Sequence, residues 1–276
     1  KQSWLKEFRI EQAYKPLEFV GQFSSTSKIE EVVFSLRKTL GLTNATDHAS
    51  KNDYLKDIID RAESAGILIF RTGIVKSNTH RPLDVAEFRG FAISDPIAPL
   101  VFINTTDAPA ARLFTLLHEL AHIWIGSSGI TNQVNNVSRD EEIFCNKVAG
   151  EFLVPKATFL KQWNDKVDWI QNLEPIATYF KVSKLVIAKR ALDLGCLAYK
   201  EYNRYYLEEL NQFRAKKSTD SGGGDYYTTQ ISRTGKQFNL AVVSSALSGQ
   251  MLLRDAANLL DMKPTNVINM ANKLST

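Results

Sequence analysis

The sequence predicts an α+β fold that is predominantly helical, with a mixed core holding a small sheet and helical C-terminal modules after it. Three observations predict it. Apolar residues recur at intervals of three and four over most of the chain, the helical period. Short apolar runs at 67–70, 85–93 and 100–103 fall in one stretch and read as strands. After Pro155 the pattern is almost wholly helical. The 276 residues, 44% of them hydrophobic and 23% charged, suit one large domain or two small ones with an ample core.

In chain order, residues 1–20 carry Trp4, Phe8, Ile10, Leu17 and Phe19, too apolar for a free tail, and are expected to pack on the body. Ser24-Ser25-Thr26-Ser27 is expected to cap a helix through Leu40, with Val32, Val33, Leu36 and Leu40 inward and Gly41 ending it. Asn52 to Ala65 reads as a second helix, stopped by Gly66. Ile67-Leu68-Ile69-Phe70, Val85 to Ile93 and Leu100-Val101-Phe102-Ile103 read as three strands, with Phe91 and Ile93 alternating inward. A helix follows over Phe114 to Trp124, then the polar stretch Gly126 to Ser138, then a second helical run from Asp140 to Val154 that Pro155 ends.

The net charge of +4 permits nucleic-acid binding without arguing for it. Cys145 and Cys196 lie in apolar helical runs and read as buried thiols in a reducing compartment, not as a disulfide framework. No apolar run is long enough to span a bilayer and no signal-peptide pattern is visible, so a cytoplasmic location is expected. The chain opens at Lys1 without Met, and a removed upstream segment is expected.

The chemistry concentrates in His118-Glu119-Leu120-Ala121-His122. Residues four apart on a helix share a face, so His118 and His122 can aim their imidazoles at one ion. Glu119 sits one step round the helix, within reach of a water on that ion. Two neutral imidazoles with an adjacent carboxylate base is the zinc metalloprotease arrangement: the metal acidifies a water and the carboxylate takes its proton. The chain has only four histidines, and this spacing arises by chance on the order of a few times in a thousand. The competing reading is an amphipathic helix with core histidines, which Phe114, Leu117, Ala121, Trp124 and Ile125 also suit. Two histidines and a carboxylate suit manganese or iron as well as zinc.

A catalytic site needs a third protein ligand and one open position. Asp140-Glu141-Glu142 opens the next helix. From Glu142 the helical row runs through Asn146, Ala149 and Leu153, with Gly150 beside it, small residues that would admit a close approach to the histidine helix. From Glu141 the row is Cys145, Val148 and Phe152. Spacing alone does not separate the two glutamates, and either can simply favour the helix dipole.

These stretches together, with Arg89-Gly90-Phe91, resemble the ImmA/IrrE family of metallo-endopeptidases. In that family a Glu follows the His-Glu-x-x-His helix, an Ala-Asn pair comes three residues on, and a Phe-Ala and a Leu-Leu-x-Pro ending close the pattern. Here Glu142, Cys145-Asn146, Val148-Ala149 and Phe152-Leu153-Val154-Pro155 stand in those places, with Cys145 for Ala and Val148 for Phe. The resemblance covers residues 30–195 and implies Glu142 as the third ligand. It implies one zinc per chain, a zincin-like core, and a narrow substrate: a partner repressor or antitoxin of the Cro-like DNA-binding type. Helices, a small sheet and then the metal helix also fit a zincin-type order. Substrate there usually lies along the edge strand before that helix, which makes Leu100, Val101, Phe102 and Ile103 the expected substrate-binding strand. His48, His80, Tyr179 and the exposed-looking tyrosines are the candidates for stabilising the oxyanion. Longer relatives of this type carry an N-terminal helix-turn-helix domain.

Three segments are expected: a zincin-like core over 1–160, a helical module over 161–217, and a last one over 218–276 after the Gly222-Gly223-Gly224 joint. Ile176 to Leu192 has helix-turn-helix spacing with Lys184, Lys189 and Arg190 on its second helix, and the spacing returns at Ala257, Asp261-Met262 and Val267. DNA contact there competes with a plain scaffold role, which the missing turn glycine and sparse basic residues favour. The expected function is a zinc-dependent endopeptidase that cuts a Cro-like repressor or antitoxin in a mobile-element, stress or toxin–antitoxin operon. The alternative is a non-proteolytic regulator whose helical modules bind DNA or a protein. A general protease is a third, weaker reading.

Overall fold

A computed structural model describes residues 1–42, 51–75, 78–130, 139–217 and 226–274. Helices α1 (Gln2–Glu11), α2 (Ile29–Thr39) and α3 (Lys51–Ser64) come first. Strands β1 (Leu68–Thr72), β2 (Ile74–Val75), β3 (Asn78–Pro82), β4 (Gly90–Ile93) and β5 (Leu100–Asn104) follow. Helix α4 (Pro109–Trp124), strand β6 (Gly129–Ile130) and helix α5 (Arg139–Leu153) come next. The rest is helical: α6 (Lys156–Gln162), α7 (Trp169–Phe180), α8 (Lys184–Asp193), α9 (Tyr199–Lys217), α10 (Tyr226–Thr234), α11 (Lys236–Leu247), α12 (Leu253–Leu259) and α13 (Pro264–Leu274). The fold is α+β and predominantly helical, as the periodicities predict.

Four strands form one sheet in the order β1-β5-β4-β6. β1 runs parallel to β5, Leu68 opposite Leu100 through Thr72 opposite Asn104. β4 is antiparallel to β5, Gly90 opposite Ile103. β6 pairs with the outer side of β4, and β2 and β3 make a separate hairpin. The expected strand at 85–93 is shorter than its apolar pattern: Asp84 accepts from the Ala86 N–H at 2.9 Å and bends the chain, so β4 starts only at Gly90.

Side chains alternate across these strands, and that alternation builds two apolar layers. Ile67, Ile69, Ala92, Val101 and Ile103 face helices α2–α5, α7 and α8. Leu68, Phe70 and Leu100, with the partly buried Phe91, Ile93 and Phe102, face α1 and α10–α13. The first 20 residues do pack on the body: Leu5 is buried, and the buried Arg9 guanidinium donates to the Gly66 and Ile97 carbonyls at 2.9 and 2.8 Å. The serine cluster does not cap α2. Ser24 and Ser27 bond one another, and α2 opens on Lys28 without a side-chain cap.

The first apolar layer runs without a break from Val32 to Leu197, with Tyr202 and Tyr205 packed against it. Helices α7 and α8 therefore share the core of α4 and α5. The glycine-rich joint at 222–224 lies outside the described residues. Among the described residues no helix is long and apolar enough to cross a membrane.

Candidate metal centre and its cleft

Pro109 opens α4, where its fixed φ suits a helix start and its missing N–H costs nothing. The helix then runs through the middle of the first layer. Leu116, Leu117, Leu120, Ala121, Ile123 and Trp124 are buried on it, and so are His118, Glu119 and His122. Gly126 turns the chain away at φ +70. Such burial restricts the rotamers of these side chains.

Helix α5 packs on α4, and Cys145, Val148, Ala149 and Phe152 are buried along it. Its first turn brings Glu142 over the two imidazoles. Glu142 Oε2 lies 3.2 Å from His118 Nε2, and Oε1 lies 3.4 Å from His122 Nε2. The two Nε2 atoms are 3.0 Å apart. A tetrahedral ion with ligand bonds near 2.0–2.1 Å separates its ligand atoms by about 3.3 Å. The observed spacing meets that value, so the three residues fit a metal on geometry as well as on donor type. Among the described residues they are the one group of three or more His, Cys, Asp or Glu ligands placed to do so.

Electrostatics agree. Burial works against charge on Glu142, but hydrogen bonds from His118 and His122 outweigh it and hold the carboxyl down at about 2. Burial also disfavours charge on His118, yet Glu142, Glu119 and Asn146 raise its pKa above the ordinary value. The carboxylate stays ionised and gives the three-residue set its one negative charge, which a divalent cation in place of the shared protons would offset. Both Nδ1 atoms are buried without a hydrogen-bond partner among the described residues. Packing rather than an outer carboxylate sets these rings, a departure from the usual metal-bound histidine.

Glu119 is fully buried beside the histidines. Gly90 lies against it: a Cβ there would meet Glu119 Oε1 at 3.0 Å and Thr115 Cγ2 and the Phe102 carbonyl at 2.9 Å. Only glycine fits between strand and carboxylate. Glu141, the other glutamate that spacing allowed, turns away and accepts from Ser127 Oγ at 2.7 Å.

A cleft of about 420 Å³ opens on His118, Glu119 and Glu142. Its walls come from Val85, Ala86 and Arg89 before β4, from Ala111, Phe114 and Thr115 of α4, and from Asn146 of α5. Leu185, Val186 and Lys189 of α8 and Tyr202 and Tyr206 of α9 complete it. His122 sits deeper and does not line the cleft.

The expected substrate-binding strand needs correction. Leu100, Val101, Phe102 and Ile103 form β5, which is hydrogen-bonded by β1 on one side and β4 on the other. Leu100, Val101 and Ile103 are buried, and none of the four lines the cleft. An interior strand has no open edge to offer a peptide. The run was apolar at every position without polar alternation, which is the pattern of a strand covered on both faces.

Gly150 is likewise not the close-approach point to α4. Its Cα faces Arg190, whose Nε donates to the Val154 carbonyl at 2.9 Å and whose guanidinium pairs with Glu151. Of the three basic residues in the helix-turn-helix pattern, Arg190 is buried, Lys189 pairs with Asp193 beside the cleft, and Lys184 pairs with Glu174 at 2.8 Å. Cys145 is buried and Cys196 partly so, both as free thiols. His80 is exposed on β3 and Tyr179 exposed on α7, neither at the cleft, and His48 lies outside the described residues. Tyr202 and Tyr206 are cleft residues that the sequence reading did not name, and Arg89 entered it only through the Arg89-Gly90-Phe91 match. The i, i+4 spacing of the two tyrosines was the available signal.

A helix-borne histidine pair, a carboxylate from the next helix and a buried glutamate beside an open cleft define a metallopeptidase. Residues 62–192 match the peptidase family M78, described as an IrrE N-terminal-like domain, and the chain carries a metallopeptidase domain of the ImmA/IrrE family. Residues 234–273 match a domain of unknown function, DUF8813, which is the helical layer on the far face of the sheet. No curated protein matches the chain.

Proposed function

We propose that the protein is a zinc-dependent endopeptidase that cuts a partner repressor or antitoxin of the Cro-like DNA-binding type, releasing an operon from control. The convergence of His118, His122 and Glu142 at 3.0–3.4 Å, with the Glu119 carboxylate beside them, carries the peptidase reading. The substrate class rests on the resemblance to ImmA/IrrE peptidases.

His118, His122 and Glu142 would hold one Zn²⁺ per chain. That ion supplies Lewis acidity, acidifying a water and polarising the scissile carbonyl. Glu119 accepts a proton from the attacking water as its oxygen bonds to the carbonyl carbon. The same carboxylate passes the proton to the leaving amine nitrogen as the C–N bond breaks. Gly90 permits this by leaving room for Glu119 beside β4.

Metal analysis of the purified protein should find one zinc per chain. Incubation with the regulator encoded beside it should give chelator-sensitive cleavage at one site. Glu119→Gln should keep its zinc and lose cleavage by about 10²–10⁴-fold, the usual worth of a general base. Loss of metal together with activity would show that Glu119 serves the site's structure instead.

A further inference from the structure

Peptide hydrolysis builds negative charge on the carbonyl oxygen, and a fixed hydrogen-bond donor aimed there is worth a large share of the rate. The cleft has a candidate beyond the end of the matched peptidase domain. Helix α9 forms the wall formed last in the chain, and Tyr202 and Tyr206, one turn apart, face the same space as His118, Glu119 and Glu142.

The two tyrosines differ in what holds them. Arg89 donates to Tyr206 Oη and lies over its ring, 4.8 Å from the centroid, with Asp107 4.0 Å behind the guanidinium. Tyr206 thus ties α9 to the loop before β4. Tyr202 stacks on Tyr206 at 6.3 Å and packs its ring against the core. Among the described residues the Tyr202 hydroxyl makes no hydrogen bond. Burial pushes its pKa up to about 12, despite the opposing charge of Arg89, so the hydroxyl keeps its proton.

We propose that Tyr202 is the donor to the developing oxyanion, a catalytic residue, and that Arg89 and Tyr206 are the positioning residues that hold it over the cleft. This rests on the peptidase reading. No proton is transferred by Tyr202: its O–H donates throughout, while the proton from water travels by Glu119 to the amine.

The test uses the zinc-loaded full chain and a peptide library from a digested cell lysate, with cut sites read by mass spectrometry and kinetics then measured on the best-cut peptide. Tyr202→Phe should lower kcat about 10²–10³-fold, as removal of one oxyanion donor does, with KM, zinc content and Tm unchanged. Tyr205→Phe is the control: that ring lies on the same helix but meets Trp169, away from the cleft, and should leave the rate alone. A Tyr202→Phe enzyme within about twofold of the parent kcat, where a donor should matter a hundredfold, overturns the proposal alone. Parent protein that cuts neither library nor regulator overturns the peptidase reading and this one with it.

Discussion

The two faces of the central sheet use the same strands for opposite ends. Ile69, Val101 and Ile103 point toward α4 and support a layer with a charged heart: His118, Glu119 and His122 are all buried there. Leu68, Phe70 and Leu100, one residue away, point into a layer of Phe238, Val242, Val267 and Met270. That second layer holds Phe70 against Phe238 at 5.4 Å and Trp4 against Phe238 at 5.9 Å. One face carries chemistry and the other braces it. The difference shows that burial is not a guide to chemical character: at 0% exposure Glu119 is a carboxylate beside the cleft on one face, and Phe238 is apolar packing on the other.

The largest effect is expected at the ligands. Glu142→Ala should weaken metal binding beyond the ~100-fold upper range for losing an outer-shell partner. Glu141→Ala should leave affinity near the parent value, since its carboxylate meets Ser127. Competition titration with a chromogenic chelator measures both. The reverse order would move the third ligand to Glu141.

On the bracing face, Phe238→Ala should cost about 3–5 kcal/mol of stability, the usual price of emptying a buried phenylalanine site. Denaturant melts read that directly. Zinc per folded chain should not change. If zinc falls as well, the two faces are coupled through the sheet.

Much of the metal face was legible in the sequence, and the reasons are local. A helix places His118 and His122 together by its period alone. Glu142 needed the neighbouring motif, because Glu141 has an equally good row. The strand order was not legible: whether β5 sits at an edge depends on where β1 and β4 land, which no local pattern states. Tyr202 and Tyr206 were visible as one face of a helix, but not which cavity that face would meet. The apolar layer around Phe238 has no motif, only period, so its place on the far side of the sheet had to come from the structure.

Glu63 joins the two faces and should make their junction pH-dependent. It is buried on α3, and its Oε2 accepts from the Lys236 N–H at 3.3 Å, where α11 begins. A Cβ on Gly235 would lie 2.3 Å from its Oε1, so the junction is tight. Burial pushes the carboxyl up to about 7, against the Lys236 hydrogen bond and the charges of Arg71 and Lys236, with Asp60 reinforcing the rise. A raised folded pKa means that the folded chain holds a proton which the unfolded chain has released. The stability this gives is complete below the unfolded value near 4.3 and is lost as pH rises through about 7. Its full size is roughly 3 kcal/mol. Melts from pH 5 to 8 should show Tm falling, and Glu63→Gln should flatten that slope and raise Tm at pH 8. An unchanged slope would place the titration elsewhere.

The smallest effect compares two turns with one shape. Lys181 after α7 and Asp261 after α12 both sit in the left-handed region, at φ 53 and 52. Behind each, the next N–H reaches back alike: Val182 to the Ala177 carbonyl and Met262 to the Ala257 carbonyl, both at 3.0 Å. The repeated spacing in the sequence is therefore a repeated helix-ending turn, one copy on the cleft side and one on the bracing side. A side chain in that region costs about 1–2 kcal/mol, less for Asp, whose short polar group tolerates it. Glycine removes the strain but gives back about 0.4–1 kcal/mol in the freer unfolded chain. Lys181→Gly should therefore gain roughly 0.5 kcal/mol, and Asp261→Gly less or nothing. A loss at Lys181 would mean that its side chain holds α7 to its surroundings by more than the turn requires, and the two turns would then be alike in backbone only.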